Sequence, residues 1–113
     1  MRTIIAGSRT IKDYDIVKEA IEKSGFQITT LISGTAPGVD QLGEKWAKDN
    51  SIPIELHPAD WDKWGKSAGT IRNQEMAECA EACILVWDRQ SKGTKNMLIN
   101  AINNHLKLYV HDV

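Results

Sequence analysis

Cysteine is scarce in this chain. Cys79 and Cys83 are the two thiols in 113 residues, too few for a disulfide framework. Proline is scarcer than a linker needs: three prolines, Pro37, Pro53 and Pro58, make no low-complexity tract and no domain boundary, so residues 1–113 read as one domain. No apolar run exceeds the six residues from Ala82 to Trp87, far short of the ~20 that span a bilayer. The opening Met-Arg-Thr-Ile-Ile-Ala-Gly stops being apolar after three residues, which does not make a secretory signal. Nor is either sign of charge in excess: 14 Lys and Arg against 15 Asp and Glu give −1, so the broad positive field of a nucleic-acid or polybasic membrane binder is missing. The expectation is a soluble cytoplasmic protein, in the host cytoplasm if phage-encoded, with no membrane partner and nucleic acid unfavoured.

What is present is an alternation of short apolar runs and amphipathic stretches, the pattern of an α/β domain with a mainly parallel sheet. Strands are expected at Thr3 to Ala6, Gln27 to Ile32, Pro53 to His57, Ala82 to Trp87 and Leu106 to His111. Helices are expected at Asp13 to Ser24, Gly38 to Asn50, Thr70 to Glu81 and Gly93 to Asn104, the last with Leu98, Ala101, Ile102 and His105 on one side. Pro58 to Ala68 reads as an irregular loop. Right-handed crossovers then give a Rossmann-like three-layer sandwich with strand order 3-2-1-4-5. In such sheets ligands sit at the carboxyl ends of the strands, where the strand order reverses.

Three loops meet that edge. Gly7-Ser8-Arg9 follows strand one. Ser33-Gly34-Thr35-Ala36-Pro37-Gly38-Val39-Asp40 follows strand two, and Asp88-Arg89-Gln90-Ser91-Lys92-Gly93-Thr94-Lys95 follows strand four. Glycine admits close approach, helix N-termini offer unpaired N–H groups, and hydroxyls and cations complete a phosphate site. Each loop alone is also what an ordinary turn or cap uses. Arg72, placed in a first helical turn, works against the helix dipole, so either an anion or a surface ion pair must favour it. Asp40 is either a cap or a ribose ligand. Trp61 and Trp64 stack on a base, plug the sheet edge or form a subunit interface, whereas Trp46 and Trp87 read as core. Cys79 and Cys83 read as buried small hydrophobes, and His57, His105 and His111 show no zinc-ligand spacing, so no metal is expected. No GxGxxG and no GK[ST] P-loop occurs, so no dinucleotide cofactor is expected.

As a set, Ala6-Gly7-Ser8-Arg9, Ser33 to Asp40, Ala68-Gly69-Thr70-Ile71-Arg72-Asn73-Gln74-Glu75-Met76 and Ser91-Lys92-Gly93-Thr94 resemble the SLOG superfamily, in its small YspA-like, cpYpsA-related branch. The resemblance runs from Thr3 to about Ala101. It implies a nucleotide or nucleotide derivative, of ADP-ribose, NAD-derived or cyclic type, held by Gly7, Ser8, Arg9, Ser33, Gly34, Thr35, Gly38, Asp40, Arg72, Asn73, Asp88, Ser91, Gly93 and Thr94. A sensor, carrier or sequestering role, as in phage–host conflict, goes with it, and a homo-oligomer is expected. Lysine-decarboxylase-like relatives cleave the N-glycosidic bond of nucleoside monophosphates with an Arg, matched by Arg72, and a Glu after a Gly-Thr turn. Lys95, Asn96 and Met97 occupy that stretch here, so Glu75 or Asp88 would have to supply the carboxylate. The resemblance therefore favours binding over catalysis.

Overall fold

Each apolar run of the sequence becomes a strand of one parallel sheet in the computed structural model, which describes residues 1–113. The strands are β1 (Arg2–Gly7), β2 (Thr30–Ser33), β3 (Ile54–Leu56), β4 (Ala82–Trp87) and β5 (Lys107–Asp112), in the order β3-β2-β1-β4-β5. Every neighbouring pair is parallel, with Ile4 opposite Ile32 and Cys83, and Leu85 opposite Val110. The expected Rossmann-like α/β architecture and strand order are those observed.

Side-chain alternation along the strands builds two cores. Ile5, Leu31, Ile84 and Val86 face α1 (Tyr14–Ser24) and α2 (Val39–Asp49), meeting Val17, Ala20, Ile21, Val39 and Ala47. Ile4, Ala6, Ile32, Cys83 and Leu85 face the other way, onto Met76, Ala77, Met97 and Ala101 of α4 (Ala68–Cys79) and α5 (Lys92–Asn103). All six residues of β4 are buried, as a central strand covered on both sides requires. Asp13 caps α1 by accepting from the Asp15 amide at 2.9 Å, and Gly25 closes it at φ 68°.

Three expectations shift. The loop from Pro58 to Ala68 contains a helical turn, α3 (Trp61–Trp64), capped by Asp60, and a 3₁₀ turn over Gly65–Ser67. That turn runs directly into α4, whose start moves from Thr70 to Ala68. Arg72 is consequently in the second turn of its helix, beyond reach of the dipole penalty its sequence position implied. In α5 the buried stripe is Thr94, Met97 and Ala101, and Ile102 stays 58% exposed because the helix packs one position round from the expected face. Trp87 is buried as expected, its indole N–H donating to the Ser91 carbonyl at 3.1 Å, and Trp46 packs against the first core. No helix is long and apolar enough to cross a membrane.

Candidate functional site

The loops after β1, β2 and β4 do meet at the carboxyl edge, and they enclose a cleft with two chambers. The inner chamber, of about 60 Å³, is walled by Gly7, Arg9, Asp40, Arg72, Asn73, Ser91, Gly93 and Thr94, with Ala6, Ala36, Met76 and Met97 as its apolar lining. One water needs ~10–15 Å³, so this volume suits a group the size of a phosphate. The outer chamber, of about 140 Å³, continues past Arg9, Ala36 and Arg72 to Gly34, Thr35, Pro37, Pro58, Ala59 and Trp61. Arg9 and Arg72 line both.

Arg72 is the centre of the cleft. Only 9% of it is exposed, and no carboxylate lies within ion-pair distance of its guanidinium. Its Nε donates to Asn73 Oδ1 at 3.0 Å and its Nη1 to the Gly34 carbonyl. Asn73 is held in turn by Asn96 Oδ1, to which its Nδ2 donates at 3.0 Å. Nη2 makes no hydrogen bond within the protein and is not sealed away, in a guanidinium that lines both chambers and a further shallow pocket beside Trp64. Burial pulls the Arg72 pKa down, Asp40 opposes that shift, and Arg9 adds to it. A buried cation that keeps two donors free is arranged for an anion.

Asp40 stands across from it, 4% exposed. Its Oδ2 accepts from the Ala36 amide at 3.2 Å, bracing the second loop, while the other oxygen has no protein partner and faces the cleft. The side chain is thus a loop brace, with one oxygen left for a hydroxyl. Burial raises its pKa to about 6, against the pull of the Ala36 N–H and the two guanidinium groups. A raised carboxyl pKa makes the neutral form the stabilising one. That stabilisation is complete below pH ~4 and is lost as pH rises through about 6. Two pKa units correspond to ~3 kcal/mol. Asp40→Asn, which keeps the acceptor for Ala36, is expected to gain about 2–3 kcal/mol over wild type in urea unfolding at pH 7.5 and to match it at pH 4. Equal stability at both values would contradict a strained Asp40 carboxylate.

Gly93 needs no glycine on the protein's account. A Cβ there would meet nothing within 4 Å, yet glycine in a helix costs ~1 kcal/mol against alanine. Its backbone lies on the wall of the inner chamber. Gly34 is different: a Cβ would come within 2.9 Å of both Arg72 Nη1 and Asp40 Oδ2. Thr35, β-branched, is held at φ 65° with its amide on Ser33 Oγ, a strained turn on the wall of the outer chamber.

Several of the expected ligand residues brace the loops instead of lining the cleft. Ser8 is buried and accepts from the Asp88 amide at 3.1 Å, and its carbonyl receives the amides of Ile11 and Val39. Ser33 donates to Glu44 at 2.7 Å. Gly38, at φ 78°, lets the second loop pass within 2.5 Å, measured from an imagined Cβ, of the Ser8 carbonyl. Asp88 accepts from the amides of Gln90 and Ser91, and those bonds hold its pKa below the usual range. Ser91 does both: it lines the inner chamber and caps α5 by accepting from the Thr94 amide. Glu75 lies outside both chambers, in a separate shallow pocket with Asp60, Trp64 and Ile71 that also touches Arg72. Asn96 and the wall at Pro58 and Ala59 were not legible as site residues, because they enter only through tertiary packing.

The YAcAr family model, described as the YspA, cpYpsA-related SLOG family, matches residues 1–64, which carry the first two loops of the cleft. The chain is 32% identical over 110 residues to the Gene 61 protein of Mycobacterium phage D29, covering 88% of this chain and 87% of that protein. No solved structure matches. With its five-stranded sheet, its loop order and a relative matched along most of its length, the chain belongs to the YspA, cpYpsA-related SLOG family.

Proposed function

We propose that this protein binds a nucleotide or nucleotide derivative, of ADP-ribose, NAD-derived or cyclic type, at the carboxyl edge of its sheet, as a sensor, carrier or sequestering protein. Family membership points to nucleotide-related function, and the observation that carries the reading is the buried Arg72, without a carboxylate partner and with Nη2 unbonded, on the wall of a phosphate-sized chamber. Phosphate oxygens sit between Arg72, Arg9 and the first turn of α5, and the free Asp40 oxygen takes a sugar hydroxyl. The base lies in the outer chamber against Trp61, half exposed there and packed with its ring edge near Gly69. Charge-assisted hydrogen bonds at ~1.5–3 kcal/mol each make micromolar affinity reachable with a handful.

Calorimetric titration with AMP, ADP-ribose and cyclic AMP tests this. At least one is expected to bind with micromolar affinity, and Gly93→Ala is expected to weaken that ligand about tenfold or more while leaving thermal stability equal or higher. No binding at millimolar concentration, or equal binding by the variant, would contradict the assignment. Self-association finds support in Trp64, half exposed and outside both chambers, and sedimentation of the purified protein reads it directly.

Hydrolysis of the bound nucleotide is the second reading, and Asp40 favours it. It is the one carboxylate lining either chamber, and a pKa near 6 suits a group that takes and returns a proton near neutrality. Chromatography for free base, after incubation with nucleoside monophosphates, separates the readings: turnover lost in Asp40→Asn supports cleavage, and no turnover leaves binding alone.

A further inference from the structure

Away from the cleft, three side chains of different chemistry converge between the edge strand β3 and the end of α4. Glu55 and His57 stand two apart at β3, so they project from the same face of the sheet. Cys79 is the last residue of α4. Their donor atoms all lie within 4.8 Å of one another. His57 Nε2 is 2.7 Å from Glu55 Oε2, Cys79 Sγ is 3.5 Å from that same oxygen, and Cys79 Sγ is 3.9 Å from His57 Nε2. No spacing motif encodes this, since Cys79 is 22 residues from His57 and the two meet only in the folded chain, where the end of α4 comes beside the residues of β3.

We infer that Glu55, His57 and Cys79 form a binding site for a zinc-type divalent cation. A tetrahedral centre with bonds of ~2.3 Å to sulfur and ~2.0–2.1 Å to nitrogen or oxygen holds its ligands roughly 3.3–3.6 Å apart. The two sulfur distances are already near that range, and the carboxylate–imidazole contact has to open by about half an ångström. One thiolate, one imidazole and one carboxylate is a borderline-soft set, which selects zinc over magnesium or calcium. Three protein ligands leave the fourth position to water, and the exposures of Glu55 (38%) and His57 (21%) give a cation a way in.

The surroundings orient these ligands. His57 is fixed by its amide, which donates to the Ser33 carbonyl at 2.8 Å, and Glu55 by its place opposite Ile32 in the sheet. Arg2 Nη2 donates to both Glu55 oxygens at 2.8 and 2.9 Å, and its Nε donates to the Cys79 carbonyl at 2.8 Å. Such outer partners hold a carboxylate at the angle a metal needs. Binding expels the Cys79 thiol proton to solvent, and the thiolate and the Glu55 carboxylate, the latter shared with Arg2, offset the charge of the dication. Without metal, the same residues make an ion-pair cluster that ties β1 to β3, which is the competing reading.

Titration of the full chain with cobalt(II) separates the two. The expected result is one equivalent bound, with a sulfur-to-cobalt charge-transfer band that zinc(II) bleaches. Cys79→Ser is expected to abolish the band, and His57→Ala to weaken zinc at least tenfold. Cys83→Ala and His105→Ala are expected to leave both unchanged, because Cys83 is sealed in the core and His105 lies at the end of α5. Circular dichroism of each variant confirms that it is folded. Absence of the band at millimolar cobalt, a band that survives in folded Cys79→Ser, or zinc affinity indifferent to His57 would each overturn the site. Nucleotide binding is untouched by any of these results, since none of the three residues lines the cleft.

Discussion

Replacing Arg72 with methionine is expected to weaken nucleotide binding by roughly 100-fold or more and to leave the fold standing. Two charge-assisted hydrogen bonds from Nη2 to phosphate, at ~1.5–3 kcal/mol each, set that magnitude. The fold survives because the cation is held against its own desolvation: burial pulls its pKa down, and no ion pair answers it. Replacing a buried, poorly paired charge with an apolar side chain of similar length is often neutral or stabilising. The two bonds forfeited within the protein are those to Gly34 and Asn73, and Asn73 keeps its bond to Asn96. Calorimetry and thermal melting of the same preparation check both halves. Undiminished affinity would mean that the phosphate sits elsewhere. A collapsed melting point would mean that Arg72 is a structural pin.

Gly7→Ala is expected to be the most damaging single methyl in the molecule. Gly7 ends β1 opposite Val86 of β4, and a Cβ there would lie 2.0 Å from the Val86 carbonyl oxygen and 2.9 Å from Val39 Cγ2. That carbonyl is not free to move, because it accepts from the Ser8 amide at 3.1 Å. The two central strands have to separate, at a cost of about 4 kcal/mol or more, in the range where single substitutions are exceptional. At ~4–8 °C per kcal/mol for a domain near this size, the melting temperature should fall by roughly 15 °C or more. A fall of about 4 °C or less would show that the β1–β4 edge is looser than this packing. Gly7 and Gly93 therefore make opposite pairs of outcomes: alanine at the first is expected to break the sheet, while alanine at the second meets no protein atom and is expected to change ligand affinity alone.

That contrast also shows what the sequence carried and what it did not. The alternation of apolar runs sufficed for the sheet order, because β4 is apolar throughout and Gly7, Gly34 and Gly93 punctuate the carboxyl edge. The three loops were legible as a group for the same reason. Which residues of a loop face the ligand was not legible, since Ser8, Ser33 and Asp88 spend their polar atoms on the neighbouring loops. Arg72 was singled out for a dipole that the earlier start of α4 removes, and its actual distinction is burial without a carboxylate. Spacing pointed away from a metal because Cys79 and His57 become neighbours only through the tertiary fold. Trp61 needed the unforeseen α3 turn to reach the outer chamber.

The most direct measurement is a crystal structure of the protein grown or soaked with the tightest nucleotide from the calorimetric panel. Its phosphate should lie within hydrogen-bonding distance of Arg72 Nη2, between Arg9 and the first turn of α5, with the base over Trp61. A nucleotide bound on another face, with Arg72 Nη2 still unbonded, would contradict the assignment of this cleft.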